Sequence, residues 1–482
     1  MESEAGSSSA HPRRRECAAP IDLGERMRSS LPALCAVLLL PVPALAQPSA
    51  ATIARDADAA MAAAIDPRGS GAVVLIARGD TVLYRKARGM AEVELGVPLS
   101  PDQVFRIASI TKSFTAALLV QMAARGEVSL DAPAVRYLPD LPLDPRITLR
   151  QLLSHTAGVS ERDAAPQPPF GNGEVPVAEQ VRRIAARPLD FEPGTAQRYS
   201  NAGYILLAAV IEKVTGQSWD EAMRTRLFAP LELADTAYDR ADLVVPRRVS
   251  GYANDKGALR NATPFNVSIP KTAGSLHSTA TDLLRWMRAL SQGRVVGTEG
   301  FAEMSRPALA SVGVQERYGL GLYRWQVRGQ DAIGHTGQIN GFTSALFYLP
   351  AEDATVVVLA NNDGFDAQTL ARRMAAIVIG KPYPLLATGQ ALPAGAAALA
   401  GTYGSDPATA RTIAMAGDHL TVARPGRPAL PVTFDAAGNI HFVPDELSYF
   451  TPVRDGTGKV IRLDYLARGE GPALALPRTG DP

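Results

Sequence analysis

Phe105-Arg106-Ile107-Ala108-Ser109-Ile110-Thr111-Lys112-Ser113-Phe114-Thr115 is the stretch from which the rest of the chain is read. It opens a helical pattern over 105–125 that ends at Gly126. A serine three residues before a lysine at a helix start puts both side chains on one face. If partly desolvated, such a lysine can accept the serine proton, and the N–H groups of the helix N-terminus help to stabilise a developing oxyanion. Otherwise the tetrad is an ordinary first turn with a solvated lysine. Lysine is scarce, found only at Lys86, Lys112, Lys213, Lys256, Lys271, Lys381 and Lys459. Ser268-Ile269-Pro270-Lys271 repeats the spacing, but Pro270 and the loop around it leave no helix to follow, so it is set aside.

Two further stretches point the same way. Tyr199-Ser200-Asn201 follows Pro193-Gly194-Thr195 and directly precedes a helix expected over 202–215, closed by Gly216. A tyrosine near a cationic lysine can have a depressed pKa and act as a base, and an asparagine two positions on can bind a substrate amide. The alternative for Tyr199 is a packed aromatic with a satisfied hydroxyl. Tyr252-Ala253-Asn254 has the same pattern, in a loop without a following helix. Gly334-His335-Thr336-Gly337 lies in a strand-like run, where glycine lets a strand edge approach a bound acyl group and donate a backbone N–H. A turn between strands is the alternative there. Other chemistries lack their residues. Gly69-Ser70-Gly71 misses the outer spacing of a nucleophile elbow, no H-E-x-x-H or ligand cluster includes His155, His277, His335, His419 or His441, and no P-loop or dinucleotide fingerprint occurs.

Working outward, the 482 residues carry 49 Lys+Arg against 48 Asp+Glu and are 46% apolar. That apolar fraction excludes global disorder. The near-neutral charge argues against nucleic acid and gives no support for a strongly charged membrane-surface protein. Residues 1–46 read as a leader. Arg28 precedes an apolar run at 31–40, which passes to Ala44-Leu45-Ala46 before Gln47, the layout of a cleavable signal peptide (27–46) too short to span a bilayer. A periplasmic or secreted protein is expected, with no membrane span after processing. Both cysteines, Cys17 and Cys35, lie in the leader, so the rest of the chain has no disulfide and no Cys–zinc site. Beyond it the pattern gives a helix at 52–66, strands at 71–76 and 81–87 around Gly79-Asp80, and a helix at 281–292 with Thr279 or Thr281 as N-cap. Strands at 332–334, 343–349 and 355–360 and a helix at 367–379 follow. This order fits a sheet whose N- and C-terminal strands are neighbours, packed against helices. A linker at 384–398 leads to short strands about ten residues apart over 399–482, a small all-β sandwich or barrel, with a partly ordered tail as the alternative.

Taken in order, Ser109-x-x-Lys112, Tyr199-x-Asn201 and His335-Thr336-Gly337 resemble the three active-site motifs of the serine β-lactamase/penicillin-binding-protein superfamily. The branch they resemble holds class C β-lactamases, DD-carboxypeptidases and related esterases and D-aminopeptidases. Leu152-Leu153-Ser154-His155-Thr156-Ala157-Gly158, Phe191-Glu192-Pro193-Gly194-Thr195 and Gly274-Ser275-Leu276-His277-Ser278-Thr279 are similar to stretches of that branch, and the resemblance covers about 55–380. It implies an α/β (α+β) fold: an antiparallel sheet flanked by helices plus a mostly helical subdomain, occupying 47–383. It implies Ser109 as the acylated nucleophile, and Lys112 and Tyr199 sharing the general base and acid role. Asn201 would orient the substrate amide, and His335, Thr336 and Gly337 would line the site. The backbone N–H groups of Ser109 and Gln338 would form the oxyanion hole. No metal or organic cofactor is implied. Class C β-lactamases carry lysine where this chain has His335, and a histidine, mostly neutral at pH 7, weakens the reading as a dedicated β-lactamase. The segment 399–482 resembles lipocalin-like modules appended to some D-amino-acid-specific hydrolases. The expected protein is an exported serine hydrolase that acts through an acyl-serine intermediate on D-amino-acid peptides, β-lactams or small esters. Its partner is a small-molecule or short-peptide substrate, cell-wall peptides among them, and not nucleic acid. The alternative is a non-hydrolytic penicillin-binding receptor or cell-wall-binding protein on the same fold.

Overall fold

The computed structural model describes residues 47–161, 173–255, 257–309, 317–386, 392–443 and 447–481. The leader and signal peptide expected at 1–46, and part of the linker (387–391), lie outside the described residues.

Six consecutive apolar residues, Ala72-Val73-Val74-Leu75-Ile76-Ala77, are all buried, as a strand covered on both faces requires. They form β1 (Ala72–Arg78), which turns at Gly79-Asp80 into β2 (Thr81–Arg88). Gly79 has φ +55, the left-handed conformation such a tight turn favours in glycine. Five later strands complete the sheet: β3 (Arg317–Tyr318), β4 (Tyr323–Val327), β5 (Gln330–Ile339), β6 (Phe342–Leu349) and β7 (Ala354–Ala360). The order is β3-β4-β5-β6-β7-β1-β2, antiparallel throughout, with Ala72 opposite Ala360 where the two ends of the domain meet.

Helices cover both faces: α1 (Ala50–Ala64), α2 (Thr111–Ala124), α3 (Asn201–Thr215), α4 (Ala280–Ser291) and α5 (Ala367–Ile379). Val73, Leu75 and Ala77 join the core shared with α2, α3 and α4, while Ala72, Val74 and Ile76 join the one shared with α1 and α5. Strand alternation thus divides one apolar run between two cores. Of the two candidate caps of α4, Thr279 is the one used, its hydroxyl accepting from Asp282 N. Gly216 and Gly380 close α3 and α5 in the left-handed conformation.

Two local readings differ from the sequence pattern. The helix expected over 105–125 begins only at Thr111, because Phe105–Arg106 pairs as a strand with Leu276–Ser278 and a 3-10 turn, Ala108–Ile110, intervenes. The 332–334 strand is much longer, since His335-Thr336-Gly337 continue it into the sheet.

The C-terminal segment is a closed barrel of eight antiparallel strands, from Gly401–Tyr403 to Leu474–Gly480, and Thr402 lies opposite Gly480 where it closes. Tyr403, Ile413, Leu420, Phe434, Ile440, Phe450 and Leu463 fill its interior. Glu470 fastens it to the β4–β5 hairpin, accepting from Arg328 N at 2.6 Å and Gly329 N at 3.1 Å.

Candidate active site

The serine stands on strained backbone. Ala108, immediately before it, has φ +47, a conformation costing an L-residue about 1–2 kcal/mol. The turn is held from both ends: Ile107 N donates to Leu276 O at 3.0 Å, and Thr111 Oγ1 accepts from Leu276 N at 3.2 Å. Such over-determined strain is how a fold aims one side chain. Ser109 is aimed at the cleft and at Lys112 of the following helix.

Lys112 is fully buried. Its Nζ lies 3.0 Å from Ser109 Oγ, 2.7 Å from Asn201 Oδ1 and 2.7 Å from the Ala273 carbonyl oxygen. Burial pushes its pKa down to about 7, with Glu161 pulling the other way. A neutral amine has two N–H bonds and one lone pair. Asn201 and Ala273 take the two N–H bonds, so the lone pair is left facing the Ser109 hydroxyl. The arrangement can therefore withdraw the serine proton.

Tyr199 contacts the same hydroxyl by hydrogen bond, and its ring centroid lies 4.6 Å from Lys112 Nζ. The sequence pattern suggested a depressed phenol beside a cationic lysine. The site does the opposite: burial pushes Tyr199 well above its ordinary value, outweighing the Ser109 hydrogen bond that lowers it. The enclosure that makes Lys112 a poor cation also disfavours a phenolate. Tyr199 is therefore a protonated donor at neutral pH. His155 braces its loop on either side, its carbonyl accepting from Arg198 N at 3.0 Å and its Nδ1 from Ser200 N at 3.1 Å.

Asn201, expected to orient a substrate amide, is held between two partners within the protein. Its Oδ1 receives Lys112, and its Nδ2 donates to Glu161 Oε1 at 2.7 Å. It borders the cleft, and its carbonyl holds the lysine. Glu161 also accepts from Ala202 N at 3.1 Å, a carboxylate at the positive end of α3.

His335 is buried among aromatic rings, with Nε2 3.1 Å from Tyr318 Oη and Nδ1 against Thr336 O. Burial, reinforced by Lys112, lowers its pKa to about 3, so it is neutral. β4 pairs only with Gln330–Gly334, which leaves that edge of β5 open from His335 onward. Thr336, Gly337 and Gln338 line the cleft there. Gly337 packs against the serine turn: a Cβ would overlap Ile107 O and Ser344 Oγ and meet Ala108 Cβ at 3.0 Å. Gly337→Ala should therefore displace β5 from Ser109 and lower kcat/KM at least about 10²-fold, the usual cost of a 1 Å misplacement. Steady-state kinetics beside a thermal melt would check it; full activity would contradict the close approach.

The cleft holds about 580 Å³. Its far wall is the segment 363–368, and among the described lining residues its fixed charges are the carboxylates of Asp363 and Asp366, with no lysine or arginine. Ser109, Tyr199, Asn201, His335, Thr336, Gly337 and Gln338 all meet here, and Lys112 lies just beneath. Sequence reasoning missed Glu161, Tyr318, Tyr323 and the bracing role of His155. Only His155 left a signal, in Ser154-His155-Thr156-Ala157-Gly158.

Comparison with known proteins agrees with this geometry. The family model described as Beta-lactamase matches residues 53–379. Esterase EstB of Burkholderia gladioli is 30% identical over 308 residues, covering 56% of this chain and 78% of the esterase. Among solved structures, a D-stereospecific amidohydrolase from Streptomyces sp. superposes with a TM-score of 0.60 at 29% identity, covering 69% of this chain and 99% of that one. The D-amino acid amidase of Ochrobactrum anthropi SV3 gives 0.61 at 26%, covering 68% and 98%.

Proposed function

Since the chain belongs to the beta-lactamase family, we propose that it is a serine hydrolase that cleaves amides and esters through an acyl-Ser109 intermediate. The observation that carries this reading is the buried Lys112, its pKa lowered to about 7 and its Nζ held by Asn201 Oδ1 and Ala273 O with Ser109 Oγ 3.0 Å away. As Ser109 Oγ attacks the substrate carbonyl, its proton passes to Lys112 Nζ. The oxyanion is received by the N–H groups of Ser109 and Gln338, two residues that line the cleft. When the tetrahedral adduct collapses, the proton reaches the leaving amine or alcohol through Tyr199 Oη, which touches Ser109. The same pair then takes a proton from water, which attacks the acyl-enzyme and returns Ser109 to its resting state. A base poised on the ester oxygen supports turnover rather than a permanent acyl adduct. The leader pattern at 27–46 supports action outside the cytoplasm.

Charge narrows the substrate. With His335 neutral and only Asp363 and Asp366 charged along the wall, nothing described in the cleft holds a carboxylate as a fixed cation would. We therefore assign it aminoacyl amides, peptides with a free amino group and small neutral esters, ahead of β-lactams. The relatives named esterase and D-amino acid amidase support that order. In parallel assays D-alanine p-nitroanilide and p-nitrophenyl butyrate should each exceed nitrocefin in kcat/KM at least tenfold. A nitrocefin rate above both would reverse the assignment.

A further inference from the structure

The barrel has an open end that the catalytic account leaves unused. Residues 411 and 413, 420 and 422, 440 and 442, and 463 and 465 each alternate onto the inner face, and the second or first of each pair marks the same rim. At that rim the interior stops being filled, and a cup of about 470 Å³ opens over Val422, Leu430, Phe442 and Tyr465. Its polar lining is three arginines: Arg411, Arg424 and Arg427.

Arg411 is the unusual one. It is 3% exposed, its Nη1 donates to the carbonyl oxygens of Thr409 at 2.6 Å and Ala410 at 2.9 Å, and its Nε is buried without a partner. None of the described residues lining the cup is acidic. A buried guanidinium is ordinarily paired, because an uncompensated charge in a dry site is costly. Here burial and the neighbouring Arg424 hold its pKa below the ordinary value, with Tyr465, whose ring centroid lies 5.7 Å from the guanidinium carbon, pulling the other way. The core of the barrel is meanwhile filled by its own side chains, and the cup sets arginines beside the apolar Val422, Leu430 and Phe442.

We propose that the barrel mouth is a binding site for a small organic carboxylate with an aromatic or aliphatic body. The carboxylate would take the guanidinium fork of Arg411 with Arg424 and Arg427 at the rim, and the apolar body would lie on Phe442, Tyr465 and Val422. The site is separate from the serine cleft, shares no residue with it, and does not depend on the hydrolase reading.

The test is isothermal titration of the full chain with 4-phenylbutyrate, and with 4-phenyl-1-butanol as the uncharged match. Arg424 and Arg427 are exposed, so the double variant R424A/R427A should fold, with p-nitrophenyl butyrate hydrolysis as the check. The acid should bind at least tenfold more tightly than the alcohol, and its affinity should fall at least tenfold in the double variant while hydrolysis is unchanged. No binding of the acid, equal binding of acid and alcohol, or an affinity unaffected by the double substitution would overturn the proposal.

Discussion

Lys112→Met lowers kcat/KM for amides and esters by about 10³- to 10⁴-fold, the upper range for loss of a positioned general base. The effect is on the chemical step, so kcat falls while KM changes little. Methionine keeps the length and apolar body of the side chain, and Ser109, Tyr199 and the strained turn at Ala108 stay in place. What disappears is the lone pair 3.0 Å from Ser109 Oγ. The pH profile identifies that lone pair. Burial lowers Lys112 to about 7, so the fraction in the neutral form falls tenfold per unit below that pH. The wild-type kcat/KM should rise with pH through about 7 and then level, and this acid limb should be absent from the residual rate of the variant. His335, near 3, adds no inflection in the working range. Glu161 raises the lysine pKa, so Glu161→Gln should move the limb to lower pH, a shift that a merely structural role would not produce.

The same shift has a consequence for stability. A lysine near 7 in the folded protein and near its ordinary value of 10.5 when unfolded leaves the unfolded chain holding more protons between those limits. Stability of the wild type relative to Lys112→Met should therefore rise with pH from about 7 toward 10.5.

Ser109→Ala has the larger effect, a loss on the order of 10⁶ in kcat, as for removal of the nucleophile from other serine hydrolases. It should leave folding intact. Lys112 keeps Asn201 Oδ1 and Ala273 O as acceptors, and the turn is held by Leu276 rather than by the serine side chain. The thermal midpoint should stay near wild type, and substrate should still bind, read by inhibition constants of a non-hydrolysable amide. An unfolded variant, or one retaining more than about a thousandth of the activity, would contradict the role assigned to Ser109.

Much of this was readable in the chain because the signals are local. The strands at 71–76 and 81–87 around Gly79-Asp80 form the expected hairpin, the 367–379 helix ends at Gly380 as its cap rule requires, and the ten-residue spacing after 399, open between sandwich and barrel, is a barrel. The serine–lysine pair, Tyr199-x-Asn201 and His335-Thr336-Gly337 converge on one cleft, as their order suggested. What stayed hidden depends on long-range packing. Nothing in Ile107-Ala108-Ser109 says that an alanine will take a left-handed turn, because Leu276 imposes it from 168 residues away in sequence terms. Glu161 reaches Asn201 only through the tertiary fold. The protonation of Tyr199 follows from its own burial, which no spacing encodes. A turn at His335-Thr336-Gly337 stayed open as an alternative because the glycines and polar residues of β5 serve the site rather than the sheet.

The central claim is a covalent bond between substrate and Ser109 Oγ. Acid-quenched reactions with p-nitrophenyl butyrate, analysed by intact-protein mass spectrometry and peptide mapping, test it directly. The account predicts one butyryl adduct in the wild type, carried by the peptide that contains Ser109, and none in Ser109→Ala. Turnover without an adduct, or an adduct on any other residue, would contradict it.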